Sequence, residues 1–268
     1  MSLRITHNVE AFNAYRNLNA TSSQISKSMA RLSSGYRINS ASDDAAGLGI
    51  SEAMRSQIRG LAQGQRNTQD GISMVQTAEG NLDEVHSMLQ RVRELAVQYK
   101  NGSLDATAQS AIQNEVNQLA SEISRIGTSA QFNGISLLNG ASTVSFQVGA
   151  NDGQQIAVSL VDLSAKVGTS YASLTTTGTT DISEIDAAIA NVSSARAAFG
   201  SVQNRLEHSL AVSASYQENL TSAESRIRDV DMADEMVSLT KNQILSQAGT
   251  AMLSQANQAP QSVLRLLG

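Results

Sequence analysis

The chain has 268 residues, 41% hydrophobic but only 3% aromatic, with no Cys, no Trp and one proline, Pro260, where an average chain of this length carries roughly 13. These counts argue against an all-β sandwich or barrel, which needs many turns and β-branched or aromatic strands; they exclude a disulfide scaffold, a thiol nucleophile and any Cys-ligated metal or Fe–S site. A net charge of −5 supplies no basic face for a phosphate backbone, and no run of ~18 apolar residues is present, so neither nucleic-acid binding nor membrane insertion is expected.

Met1 to Ala20 contains Arg4, His7, Asn8, Glu10, Asn13, Arg16, Asn17 and Asn19. That leaves no apolar region for an ordinary secretory signal and, taken alone, predicts a cytoplasmic protein. Ala11, Tyr15, Leu18, Ser22, Ile25, Met29, Leu32 and Tyr36 then recur at alternating steps of four and three, predicting a helix with a coiled-coil-like seam weakened by small polar residues. A second stripe runs Met54, Ile58, Leu61, Gln65, Thr68, Ile72, Val75, Ala78, Leu82, Val85, Leu89, Val92, Ala96 and Tyr99. A helix from about Ala45 to Tyr99 would be roughly 80 Å long, more than a compact globule of this size needs. After the Asn101-Gly102-Ser103 break, Ile112, Val116, Leu119, Ile123 and Ile126 predict a third helix.

Between Phe132 and Thr180 the pattern changes to short, glycine-punctuated runs. Val144 to Val148 and Ile156 to Leu160 alternate with period two, and Gly149 to Gly153, carrying Asn151-Asp152, reads as a hairpin connection. The Thr175 to Thr180 tract reads as a loop. A fourth helix follows on Ile182, Ile185, Ile189, Val192, Phe199, Val202, Leu206, Ser213, Tyr216 and Leu220. A fifth begins near Asp231 or Ala233 and keeps a thinner stripe through Val237, Ile244, Ala248 and Ala251. The expected fold class is therefore mainly α: long antiparallel helices forming a coiled-coil-like rod, with a small β-hairpin region around residues 132–178. The first and last helices are too polar to form a core alone and are expected to be buried on partners. Arg4, Arg16, Lys27, Arg31 and Arg37 near one end face Asp229, Asp231, Asp234 and Glu235 near the other, signs that favour pairing of the two terminal segments.

Motifs for chemistry are missing. His7, His86 and His208 are far apart, and no HExxH is present. Gly47-Leu48-Gly49 is followed by Glu52 where a dinucleotide loop needs glycine, and no strand precedes it. The acidic run from Asp229 to Glu235 lacks the glycine and terminal glutamate of a calcium loop and suits a helix N-terminus instead. No catalytic residues, no metal ligands and no cofactor are expected, and the chain is read as a non-enzyme.

Leu32-Ser33-Ser34-Gly35-Tyr36-Arg37-Ile38-Asn39-Ser40-Ala41-Ser42-Asp43-Asp44-Ala45-Ala46-Gly47-Leu48 closely resembles the N-terminal signature of bacterial flagellins. So do Gln90 to Gln98, the Gln131-Phe132-Asn133-Gly134 turn and the stretch from Gln247 to Gly268 that ends Ser262-Val263-Leu264-Arg265-Leu266-Leu267. The resemblance covers nearly the whole chain. Gly49 departs from it, standing where the family often has alanine, and the middle is too short for the outer domains of larger flagellins.

The resemblance implies a structural subunit that polymerises with copies of itself into the helical filament of the flagellum, used for swimming. The runner-up is a hook–filament junction protein of the same superfamily. Residues 1–42 and 230–268 would form the terminal coiled-coil domain of the family (D0), and residues 43–229 the rod domain (D1), with helices at about 45–99, 104–128 and 181–225. The D0 subunit-packing seam would comprise Leu18, Ile25, Met29, Leu32, Val237, Ile244, Ala248, Ala251, Val263, Leu264, Leu266 and Leu267. Arg91, Leu95 and Glu115 match family positions that serve as an axial assembly face and are contacted by the animal Toll-like receptor 5. Further implied partners are the export chaperone, the flagellar type III export apparatus, and hook-associated and filament cap proteins. Export by that route reverses the cytoplasmic expectation and places the chain in the extracellular filament.

Overall fold

The computed structural model describes residues 8–168, 172–175 and 181–267, with side chains described as far as Gln258. Its elements run α1 (Val9–Ser34), α2 (Ala45–Tyr99), α3 (Ala106–Ser129), β1 (Gln131–Phe132), β2 (Ile135–Ser136), β3 (Thr143–Gln147), β4 (Gln155–Ser159), α4 (Leu163–Val167), α5 (Asp181–Arg228) and α6 (Met232–Leu267). The fold is mainly α with short antiparallel strand pairs, as the periodicities predict. The chain forms two compact units, Met1–Ser56 with Asn219–Gly268, and Gln57–Glu218, so α2 and α5 contribute to both.

The core of the Gln57–Glu218 unit is made by the stripes read from the sequence. Val75, Leu82, Val85, Leu89 and Val92 of α2 are fully buried, as are Val116 of α3 and Ile185 and Leu206 of α5, with Phe199 nearly so. Thr68 sits on the same stripe and satisfies its hydroxyl by donating to the Gly64 carbonyl at 2.7 Å. Asp105 caps α3, its carboxylate accepting from the Ala108 amide at 2.8 Å.

β1 and β2 are joined by Asn133 and Gly134, both at positive φ, the two-residue turn whose twist suits a hairpin. β3 and β4 pair antiparallel with Thr143 opposite Ser159 and Gln147 opposite Gln155, turning Ile156 and Val158 into the core. This second hairpin is seated on glycines of α2. A Cβ on Gly60 would stand 2.7 Å from the Ala150 Cβ, one on Gly64 2.5 Å from the Val148 carbonyl oxygen, and one on Gly71 3.2 Å from the Phe146 ring. Asn67 adds a hydrogen bond from its amide nitrogen to the Gln147 carbonyl at 2.9 Å. Beyond the strands, Asp162 caps the short α4 by accepting from the Ala165 amide.

The Gln113 side-chain amide then behaves like a strand partner: it donates to the Ala172 carbonyl at 2.6 Å and accepts from the Leu174 amide at 3.1 Å. Most of the expected Thr175 to Thr180 loop lies outside the described residues. At its near end, the buried Asp181 carboxylate accepts from the Thr175 amide and hydroxyl and stands 3.6 Å from Lys100 Nζ. Burial pushes this carboxyl up, but the Thr175 hydrogen bonds and the Lys100 charge outweigh it and hold Asp181 below the ordinary carboxylate range. Its stabilising contribution is therefore complete above the unfolded value of 3.8 and is lost as pH falls through the lower folded value. Asp181→Asn is expected to lower stability at pH 7 by about 1–3 kcal/mol and to flatten the loss of stability below pH ~4, measured by thermal melts of both chains across pH.

Candidate functional site

The signature segment between α1 and α2 owes each of its unusual residues to a local requirement. Gly35 ends α1 in the left-handed region, φ 75°, with its amide on the Arg31 carbonyl at 2.8 Å. Tyr36 then makes an isolated antiparallel bridge with Asp229. The Arg37 amide donates to the Arg228 carbonyl at 2.7 Å and the Val230 amide to the Gly35 carbonyl at 3.1 Å. The Arg228 guanidinium lies over the Tyr36 ring, 4.9 Å from its centroid, and pairs with Glu52 at 2.6 Å. Ile38 is the apolar anchor of the segment, 1% exposed.

Two carboxylates fold the rest of the segment. Asp43 accepts from the Ser40 and Asn39 amides and the Ser40 hydroxyl, and the Ser40 bonds hold it below the ordinary carboxylate range. Asp44 caps α2 by accepting from the Gly47 amide at 2.9 Å. A Cβ on Gly47 would overlap the Asp44 carboxylate and stand 2.8 Å from Ile38 Cδ1, whereas one on Gly49 would meet nothing within 4 Å. Gly47→Ala is therefore expected to cost about 1–2 kcal/mol by expelling the cap, and Gly49→Ala to add about 0.5–1 kcal/mol by removing a mid-helix glycine. Thermal melts followed by helical circular dichroism check both signs.

α1 and α6 pack against each other antiparallel. Arg31 meets Glu235 at 3.6 Å, Leu18 lies over Gly249, and the Asn8 side chain donates to the Ala256 carbonyl at 2.8 Å, which together define the register. Asp231 opens α6 by accepting from the Ala233 and Asp234 amides. On α1 the inward stripe is Ala11, Ala14, Leu18, Thr21, Ile25, Ser28 and Leu32. On α6 it is Glu235, Leu239, Asn242, Ser246, Gly249, Leu253 and Ala256, also at steps of four and three. Large and small residues alternate across this seam, which lets the helices approach closely.

The predicted seam residues thus fall into separate groups. Leu18, Ile25 and Leu32 face α6 and are half-buried, while Met29 is 53% exposed. Val237 and Ile244 are 69% and 60% exposed, and Ala248 and Ala251 share their face of α6, away from α1. Met236, Val237, Thr240, Lys241 and Ile244 line a shallow apolar depression there, and Leu245 and Met252, seven residues apart, extend the apolar surface. The side chains of Val263, Leu264, Leu266 and Leu267 lie outside the described residues. α6 is therefore apolar on two sides, of which α1 covers one.

Arg91 and Glu115 are brought together on the surface of the other unit. The Arg91 guanidinium donates to Glu115 at 3.0 Å and to Glu94 at 3.1 Å, and these bonds raise it above the ordinary arginine value. Leu95, by contrast, is 2% exposed and belongs to the core beneath them. Among the described residues no cluster of three or more potential metal ligands occurs, and no helix is long and apolar enough to cross a membrane.

Unfilled apolar helix faces of this kind define a protein that binds through its helices, with no site for chemistry among the described residues. Comparison with known proteins places it: residues 5–143 match the bacterial flagellin N-terminal helical region and residues 182–267 the bacterial flagellin C-terminal helical region. The flagellin of Halalkalibacterium halodurans is 53% identical over 98% of this chain and 99% of its own length. The flagellar filament 33 kDa core protein of Treponema phagedenis is 46% identical over 98% of this chain and 99% of its own. The crystal structure of Bacillus cereus flagellin superposes with a TM-score of 0.51 at 32% identity, covering 55% of this chain and 88% of that one. The chain belongs to the bacterial flagellin family and is a non-enzymatic structural subunit that polymerises into the flagellar filament.

Proposed function

We propose that assembly is carried by the terminal helix pair, with the outer face of α6 buried on neighbouring copies of the chain. The observation that supports this is the second apolar side of α6: Met236, Val237, Ile244, Leu245 and Met252 stay exposed although the helix already has a partner in α1. A single chain gains nothing from that surface, whereas a polymer recovers about 25 cal/mol for each Å² of it removed from water. In the division suggested by the family, residues 1–42 and 230–268 form the D0-like domain and residues 43–229 the D1-like domain. The contacts between copies are head-to-tail and non-closing, which generates a helix rather than a ring.

The chain leaves the cell through the flagellar type III export apparatus, its C-terminal helix held beforehand by the export chaperone, and is added beneath the filament cap on a base of hook-associated proteins. Arg91 and Glu115 lie on the axial assembly face. Their exposed ion pair is also what Toll-like receptor 5 reads on the dissociated subunit, with Leu95 setting their position from below. The test is sedimentation and negative-stain microscopy of purified chain, dissociated by heat and then cooled with short filament seeds. Long uniform filaments with a central channel are expected; persistent monomers with viable seeds would overturn the assignment of assembly to this chain's own terminal helices.

A further inference from the structure

We propose that the thioethers of Met232, Met236 and Met252 are a modification site for oxidants of the hydrogen peroxide class, and that their oxidation blocks assembly. The inference rests on the reading that the outer surface of α6 is buried on another copy. The chain has no Cys and no Trp, so methionine sulfur is its softest oxidisable group. Its distribution is uneven. Met232, Met236 and Met252 are 50%, 50% and 64% exposed on α6, Met29 is exposed on α1, whereas Met74 is buried and Met88 packs partly buried against the core of the other unit.

In the reaction a sulfur lone pair attacks one peroxide oxygen and the O–O bond breaks. That oxygen remains on sulfur as the sulfoxide, and the other leaves as water after taking up the peroxide proton. Sulfur loses two electrons and peroxide gains them. The Met236 and Met252 sulfoxides place a strong dipole and an acceptor oxygen on the apolar surface that carries Val237, Ile244 and Leu245, the Met232 sulfoxide adds one on the opening turn of α6 beside Met236, and burying any of them without a donor is unfavourable. Met236 lies directly beside Val237 and Ile244 in the depression, and Met252 is one heptad beyond Leu245. A copy already in the polymer would have these thioethers covered, so oxidation acts on the unassembled chain.

The experiment exposes full-length chain to graded hydrogen peroxide before seeding, with sulfoxide at each methionine read by peptide mass spectrometry and assembly by sedimentation. Met29, Met232, Met236 and Met252 are expected to oxidise before Met74, and the critical concentration for assembly to rise ~10-fold or more as the three α6 positions fill. The combined Met232→Leu, Met236→Leu and Met252→Leu chain is expected to assemble and to resist peroxide. Treatment of oxidised wild-type chain with methionine sulfoxide reductase is expected to restore assembly, a readout that does not depend on how the leucine variant folds. An unchanged critical concentration after oxidation, or no recovery on reduction, would overturn the site. Failure of the untreated chain to assemble on viable seeds would instead overturn the reading of α6 on which it rests.

Discussion

Ile25→Asp is expected to abolish polymer formation and to unfold the α1–α6 pair within a single chain, while Met29→Asp abolishes polymer formation and leaves the pair intact. Ile25 lies on the half-buried stripe that faces α6, where the register places it near the buried Asn242. An aspartate there forfeits about 1 kcal/mol of apolar burial, roughly half of what a fully buried Ile gains, and adds the larger cost of a charge held against a helix surface. α1 is rich in Asn and Ser, so it has little intrinsic helicity to fall back on. Met29 is one turn further along α1 but is 53% exposed, so an aspartate there costs the single chain little. Helical circular dichroism and limited proteolysis of the dissociated chains, beside seeded sedimentation, separate the two outcomes. Normal filaments from Met29→Asp would remove that side of α1 from the assembly surface.

The second large effect is expected at the glycine seat of the β3–β4 hairpin. Gly64→Val should destabilise the Gln57–Glu218 unit by ~3 kcal/mol or more, since its Cβ would stand 2.5 Å from a backbone carbonyl that can move only if the hairpin moves. For a unit of this size that is a fall in Tm of roughly 10 °C. Gly80→Ala on the same helix provides the contrast: its Cβ would meet nothing within 4 Å, and the change is expected to stabilise by about 0.5–1 kcal/mol. Equal destabilisation by both substitutions would mean that helix distortion, and not the seat, sets the glycine requirement.

The inward stripes of α2, α3 and α5 were legible from apolar spacing because those helices bury one side in one core. α1 and α6 show where that signal misleads. In α1, Ala11, Leu18, Ile25 and Leu32 face α6 as the spacing suggests, but between them the chain turns Ala14, Thr21 and Ser28 inward and leaves Tyr15 and Met29 exposed. Close approach of two helices selects small residues at the contact, so the more apolar neighbours fall on the open side. In α6 the pattern picked out Val237, Ile244, Ala248 and Ala251, which are turned away from α1, because a helix with two apolar sides does not declare which is covered at home. The Gly60, Gly64 and Gly71 seat had no readable signal, because Gly49 and Gly80 interrupt the same helix with nothing within 4 Å of a Cβ on either. The Arg91–Glu115 pair entered through family likeness, and only the packing of α2 on α3 separates it from Leu95 beneath.

The bridge between Tyr36 and Asp229 and the Asn8–Ala256 bond join residues 190 or more positions apart. A ribosome delivers the chain from its N-terminus, so α1 must wait for nearly the entire polypeptide before its partner exists. Joining such distant segments of a disordered chain carries a large closure entropy, which shrinks once the intervening residues have condensed. The terminal pair is thus the last part to form and the first to be lost on truncation: removing α6 should leave α1 open to protease within an otherwise folded chain. Late closure leaves α1 without a partner for most of synthesis, and the small polar residues of its inward stripe, Thr21 and Ser28, keep that waiting segment from offering a continuous apolar face.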